Sequence, residues 1–255
     1  MILGVDVGGT FTDAVLVTPA GVITGKAPTT PEDQSLGVMA AVKEALSRAD
    51  APAAEVERLV HGMTVGTNAL LEGRTARTAL VATDGFTDLE ELGRQGRPEL
   101  YRLCVSGPAP LVPAELRVAA RERCGPDGEL EPLDSERLSR TLAELDGEVE
   151  AVAVCLLWGF RHPAHERAAA DAVSSAMPEA HVSTSHEAAA VFREHERCVT
   201  TIVDAALSPL LRRYLERLAE RSRDAGLPVP EVMLSGGGVA DAATAARVRS
   251  VSRSR

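Results

Sequence analysis

Aromatic residues are scarce: four Phe, two Tyr and one Trp make up 3% of the 255 residues, so any core must be built from aliphatic side chains. Cysteine is sparse too. Cys104, Cys124, Cys155 and Cys198 lie far apart with no CxxC pair, a spacing that indicates neither a zinc site nor a disulfide framework and fits a reducing compartment. Positive charge is in deficit, with 27 Lys and Arg against 37 Asp and Glu for a net charge of −10. That excludes a nucleic-acid partner held by bulk charge. Long apolar runs are missing as well: the longest, Ala151 to Phe160, is too short to cross a bilayer, and the opening MILGVDVGG shows no basic leader or small-residue cleavage site. The expectation is a cytoplasmic protein with no membrane partner. What is present is ordinary for a globular chain, since 45% apolar and 25% charged residues exclude the disordered and fibrous classes.

Three β-rich runs, Ile2 to Val7, Ala14 to Thr18 and Val22 to Ala27, are separated by glycine or Pro-Ala-Gly punctuation and predict an antiparallel meander. After Pro31, Val38, Val42, Ala45 and Leu46 recur at helical spacing, and Arg48 suits the C-terminal end of that helix. Strands over 58–61, 77–82, 149–157 and 181–184 then alternate with helices over 65–71, 134–145 and 163–176. The fold class is therefore α/β with a mixed sheet. Asp134 and Pro163 suit helix starts, with Glu136 and Glu166 in the first turns. The Pro- and Gly-rich stretch 93–128 reads as a long loop excursion. A long helix over 198–223, broken or bent at Pro209 and stopped by Gly226, leads to a strand over 231–234, the glycines Gly236 to Gly238 and a helix over 241–248. A helix, a strand and a helix cannot enclose a core, so the chain is expected to finish in a partial second unit.

The strongest local signal is Asp6-Val7-Gly8-Gly9-Thr10-Phe11-Thr12-Asp13, where the first strand turns back into its partner. Two glycines let backbone N–H groups approach an anion, Thr10 and Thr12 offer hydroxyls, and Asp6 offers a carboxylate suited to Mg²⁺. The competing reading is a type I′ hairpin with Gly-Gly at its centre. The full string favours a phosphate cradle. No Walker A loop is present, and no GxGxxG follows a strand.

With that loop the chain resembles the superfamily of acetate and sugar kinases, heat-shock ATPases and actin, in which an Asp-x-Gly-Gly-Thr-like hairpin sits on a ribonuclease-H-like sheet. Further strings narrow the resemblance: His61-Gly62-Met63-Thr64-Val65-Gly66-Thr67-Asn68-Ala69-Leu70-Leu71-Glu72, Arg77-Thr78-Ala79-Leu80-Val81 and Gly93-Arg94-Gln95-Gly96-Arg97-Pro98-Glu99-Leu100-Tyr101. Read together they are similar to the amino-terminal part of the hydantoinase A and 5-oxoprolinase family, which includes the acetone carboxylase β subunit. The likeness continues through Ala151 to Leu157, through His162-Pro163-Ala164-His165-Glu166-Arg167, where His162 replaces the family's usual asparagine, and through Phe192 to Arg197.

The resemblance implies residues 1–190 as the hydantoinase/oxoprolinase amino-terminal domain and 191–255 as the beginning of a hydantoinase A-type catalytic domain, apparently truncated. It also implies an ATP-dependent cyclic-amide hydrolase that uses Mg²⁺ and activates a carbonyl by phosphorylation. The partners would be a small cyclic amide and the remaining lobe or a second hydantoinase subunit. On this reading Gly8, Gly9, Thr10 and Thr12 hold phosphates, Asp6 and Asp13 lie at the metal and, with His61 and Asn68, serve catalysis. Thr64, Thr67, Arg94 and Gln95 contact substrate, with Arg97 completing a GRQxRP-like element that could grip a carboxylate bidentately; for Arg94, Gln95 and Arg97 a solvated loop is an equal alternative. For His61 and Thr64 a satisfied core histidine and a helix cap are equal alternatives. Two other functions stay open, a non-catalytic nucleotide- or partner-binding remnant and a small-metabolite kinase of the superfamily. His162, His165 and Glu166 match neither HExxH nor HxxEH and read as first-turn capping; Arg193 to Arg197 reads as a surface ion-pair network, with an interdomain or site role as the alternative. The basic residues 247–255 are too few on an acidic chain to argue for nucleic acid.

Overall fold

In β1 (Ile2–Val7), Leu3, Val5 and Val7 turn inward, and in β2 (Phe11–Thr18) Thr12, Ala14 and Leu16 do the same. This is the period-two pattern of a sheet with one covered face. β3 (Gly21–Pro28) continues antiparallel to β2, so the predicted meander forms. The computed structural model describes residues 1–96, 101, 109–234 and 237–241; Arg97, Cys104, Gly236, the expected helix after Asp241 and the basic tail lie outside them.

The meander's inner face is covered by α1 (Gln34–Ala49), which buries Val38, Ala41, Val42 and Ala45. Asp33 caps it, accepting from the Ser35 N–H at 3.1 Å and from Arg221 Nη2 at 2.9 Å. Gly25 sets how closely α1 and β3 approach. A Cβ there would lie 2.3 Å from the Ala41 carbonyl oxygen and 2.6 Å from the Ala45 nitrogen. β4 (Arg58–Met63) then pairs in parallel with β1 on the side away from β2, and α2 (Val65–Leu71) follows it.

The alternating region builds a second sheet rather than extending the first. Its elements in chain order are β5 (Thr78–Thr83), α3 (Leu89–Leu92), β6 (Arg117–Ala120), β7 (Arg123–Gly125), β8 (Gly128–Glu131), α4 (Ser135–Ala143), β9 (Ala151–Cys155), α5 (Ala164–Ala176), β10 (His181–Thr184) and α6 (Ser185–Ala188). The strand order β10-β9-β5-β6 is parallel throughout, while β7 and β8 form a separate antiparallel pair. Every residue of β5 and β9 is buried, as strands covered on both faces must be. α7 (Glu194–Asp224) carries Pro209 inside it, and β11 (Glu231–Met233) and β12 (Val239–Asp241) close the described chain. β11 joins β4 in parallel, so the first sheet runs β12-β11-β4-β1-β2-β3.

Several expectations change here. The stretch 93–128 holds β6, a member of the parallel sheet, and β7. Asp241 ends a strand rather than opening a helix: Gly237 and Gly238 take φ of 87° and 85° in the turn that folds β12 back on β11. His165 and Glu166 are buried, and Glu166 accepts hydrogen bonds from the Leu156 N–H, the His186 N–H and the Ser185 hydroxyl rather than facing solvent at a helix end. Arg197 is fully buried, donating to the Ser185 hydroxyl at 2.9 Å and to the Leu156 carbonyl at 2.8 Å, so the cluster is a surface ion-pair network at Arg193 and Glu196 but not at Arg197.

The described chain falls into two compact units. One holds residues 1–75 with the described residues from 210 onward, and the other holds 76–209. The change of unit falls at Pro209 inside α7, where a missing N–H already weakens the helix. Among the described residues no helix is long and apolar enough to cross a membrane.

Replacing Gly25 by Ala forces a methyl group into the backbone of α1. The expected cost is about 1–3 kcal/mol, read as a lower urea midpoint. An unchanged midpoint would show that α1 does not seat this closely.

Candidate functional site: the β1–β2 hairpin

The chain reverses over residues 8–10, and the Gly8 N–H donates to the Phe11 carbonyl at 3.0 Å. Neither Gly8 nor Gly9 has a positive φ, so the type I′ turn, which needs one at both central positions, does not form. The two glycines have different surroundings. A Cβ on Gly8 would sit 3.0 Å from the Phe11 carbonyl oxygen, whereas one on Gly9 would meet nothing within 4 Å. Gly9 and Thr10 are exposed. Neither packing nor backbone conformation requires a glycine at position 9; its effect is to leave room above the hairpin.

The hairpin is braced from beneath by the end of the meander. Thr29 donates its N–H to the Thr10 carbonyl and its hydroxyl to the Gly8 carbonyl, each at 2.9 Å. Its single hydroxyl proton is thereby used, so the fully buried Thr12 hydroxyl, 3.2 Å away, donates to Thr29. Thr12 therefore lies under the hairpin rather than on its open side.

Asp6 and Asp13 sit opposite one another across β1 and β2, both exposed. Asp13 is also opposite Lys26 on β3, whose ammonium donates to its Oδ1 at 2.8 Å and lies 4.9 Å from the centre of the Phe11 ring. Two facing carboxylates repel, and one ammonium leaves a net negative charge. The donor set suits a hard cation such as Mg²⁺.

Behind the strands, His61 is 1% exposed. Its Nδ1 lies 3.4 Å from the Val5 carbonyl, which can only accept, so that nitrogen carries the proton and Nε2 accepts from the Tyr214 hydroxyl at 2.8 Å. Burial pushes the His61 pKa down to about 4, against smaller upward pulls from the Val5 carbonyl and Asp6. His61 is thus a neutral, fully partnered ring inside the unit. Thr64 donates its hydroxyl to the Val7 carbonyl at 2.9 Å and accepts from Asn68 Nδ2 at 3.3 Å, so it ties α2 to the end of β1 and makes no side-chain cap. Thr67 is exposed on α2.

Arg94 and Gln95 belong to the other unit. Arg94 pairs with Glu196 at 2.7 Å, and Gln95 is exposed with φ 54°. The cavity of about 700 Å³ at the end of α1, lined by Val42, Leu46, Asp50, Pro52 and Leu227 among others, includes none of the predicted site residues. Sequence reasoning missed Lys26, Thr29 and Tyr214. Cross-strand register from the meander turn would have placed Lys26 beside Asp13, but nothing local marks Tyr214, which stands 153 residues from His61.

The depressed His61 pKa makes a pH prediction. The unfolded state, with a pKa of 6.5, binds more protons than the folded state down to about pH 4. The His61 contribution is therefore complete above pH 6.5 and falls as acid is added, by roughly 3 kcal/mol in all. Urea unfolding should show the stability advantage over His61→Gln shrinking across that range; a constant difference would show that the ring is not held neutral.

A family model described as the hydantoinase/oxoprolinase N-terminal region matches residues 2–177. The caprolactamase subunit alpha of Pseudomonas jessenii is 36% identical over 93% of this chain and 36% of its own length. The crystal structure of the ATP-dependent caprolactamase from the same organism superposes with a TM-score of 0.85 at 32% identity, over 95% of this chain and 36% of that one. Nucleotide-free acetone carboxylase superposes with a TM-score of 0.82 at 25% identity, over 94% of this chain and 37% of that one. The chain thus spans about a third of the length of these relatives. A match over most of the sequence, together with the shared fold, places this chain in the hydantoinase/oxoprolinase family, whose N-terminal region it carries.

Proposed function

We propose that the β1–β2 hairpin is the first phosphate-binding element of an ATP-dependent cyclic-amide hydrolase, working together with further polypeptide or a second subunit. One observation carries the reading: Gly9 is a glycine that neither the backbone nor the packing demands, at an exposed turn with open space beside it. A residue without a side chain there lets the backbone N–H groups of the hairpin approach an anion. The ATP dependence of the related caprolactamase supports a nucleotide phosphate as that anion and a lactam as the second substrate.

In this scheme the braced hairpin holds the phosphates over Gly8, Gly9 and Thr10, while Thr12 and Thr29 keep it rigid from below. Asp6 and Asp13 would hold Mg²⁺, which supplies charge neutralisation to the transferring phosphoryl group. The phosphoryl group passes to the amide carbonyl oxygen as ADP leaves, one water attacks the activated carbon and the ring C–N bond breaks to free the amine, and a second water cleaves the resulting acyl phosphate to carboxylate and phosphate. Resonance makes an amide a poor electrophile, so most of the catalytic demand falls on positioning and charge stabilisation. His61, neutral and locked by Tyr214, positions the strand ends from behind rather than exchanging protons. Asn68, Thr64 and Thr67 at the start of α2 are the substrate contacts proposed in the first unit, and Arg94 and Gln95 are those proposed in the second. Residues 191–255 are read as the opening of the domain that follows in the full-length enzymes.

Gly9→Ala separates this reading from a purely structural hairpin. The substitution meets no atom of the fold, so thermal stability should hold or rise slightly while Mg-ATP binding, followed calorimetrically in the assembly with the following domain, weakens about tenfold or more. Unaltered binding by a folded Gly9→Ala variant would remove the phosphate from this turn.

A further inference from the structure

In the second unit, three side chains distant in sequence converge. Glu122 lies just before β7, Cys124 is in β7 and His165 is in the first turn of α5; all three are buried. His165 Nδ1 lies 2.7 Å from Glu122 Oε2 and 3.4 Å from Cys124 Sγ, while its Nε2 lies 2.7 Å from Glu129 Oε2 on β8. One ligand atom from each of Glu122, Cys124 and His165 falls within 4.8 Å of the others. The scheme for ATP chemistry uses none of these groups.

We propose that Glu122, Cys124 and His165 form a binding site for a zinc-class divalent transition-metal ion, with Glu129 orienting the imidazole. The donor set of one thiolate, one imidazole and one carboxylate is of the borderline kind such ions select. Tetrahedral bonds of about 2.3 Å to sulfur and about 2.0 Å to nitrogen put those two atoms roughly 3.6 Å apart. The observed separation is 3.4 Å. Only the carboxylate must move, opening from 2.7 Å to roughly 3.3 Å from the ring nitrogen.

The surrounding contacts are those of a supported site. Glu129 holds the far ring nitrogen, making a carboxylate–histidine–metal arrangement, and the Thr83 hydroxyl donates to Glu122 Oε1, fixing the ligand carboxylate. Without metal, the ring lies between two carboxylates; burial opposes its charge, but the bonds to Glu122 and Glu129 prevail and raise the His165 pKa. Burial beside Glu122 and Glu129 pushes the Cys124 thiol up, so it stays protonated. Binding replaces the Nδ1 proton and the thiol proton by the ion, and both protons pass to solvent. Water takes the fourth position. The ion would tie the β7–β8 pair, which hydrogen-bonds to no other strand among the described residues, to the start of α5.

Cobalt(II) reports the site directly, because thiolate ligation gives a near-ultraviolet charge-transfer band. Titrating the metal-free protein should produce that band at one ion per chain. Cys124→Ala should abolish it, and Glu129→Gln, at a half-exposed side chain, should weaken binding about 10- to 100-fold. Circular dichroism checks that each variant folds, and Glu129→Gln decides the matter if Cys124→Ala does not. Absence of the band in the parent protein, its survival in folded Cys124→Ala, or unchanged affinity in Glu129→Gln would overturn the proposal.

Discussion

The parallel register of β1 against β4 governs the first unit. β1 pairs with β2 on one side and β4 on the other, with Val7 opposite both Thr12 and Met63. Both parallel strands consequently end at the same edge, where the hairpin leaves β1 and α2 begins after β4. The Thr64 hydroxyl on the Val7 carbonyl closes that edge. A slip of one residue would reverse every side chain between the faces, moving Asp6 into the core and His61 out of it. The site is thus a consequence of register, and the edge at which it lies is the one where open α/β sheets bind ligands.

The two units stabilise buried polarity differently. In the first, the interior polar groups are neutral: His61 with Tyr214, and Thr12 with Thr29. In the second, charge itself is inside. Glu166 accepts from the backbone of Leu156 and His186, and Arg197 donates to the carbonyls of Leu156 and Val191 and to Glu194. The Ser185 hydroxyl stands between them, donating to Glu166 and accepting from Arg197. Such a network tolerates poorly the loss of one member, because the remaining charge is left without a partner or water. It also fixes the junction of β9, α5, α6 and α7 at a single geometry.

How much of this was legible follows from where the information resides. The meander, α1, β4 and α2 were readable because their apolar periodicity is local, and the hairpin because its glycines and threonines are contiguous. β6 was not, since Arg117-Val118-Ala119-Ala120 is too short to show a period and sits in a Pro- and Gly-rich stretch. β12 was hidden by glycines that look like flexible entry but supply the left-handed turn of a hairpin. Arg197 and His165 misled for a physical reason: a charged residue in a charged string looks solvated until the fold brings in its partners, and those partners lie elsewhere in the sequence. The family resemblance supplied the nucleotide and the cyclic amide, which residue chemistry alone could not name.

Two glycines of the first unit differ in what the fold asks of them. At Gly25 the backbone of α1 occupies the space where a Cβ would stand, so the fold alone explains the residue. At Gly9 that space is empty and the backbone is accessible to any L-residue. A side chain there would reduce the entropy of the unfolded chain and so add stability. Its lack is therefore a small standing cost to the fold, and it coincides with a hairpin held from beneath by four threonine groups, the Thr29 N–H and the hydroxyls of Thr12, Thr29 and Thr64. A turn that is rigid below and bare above is what close approach of an anion to main-chain N–H groups requires.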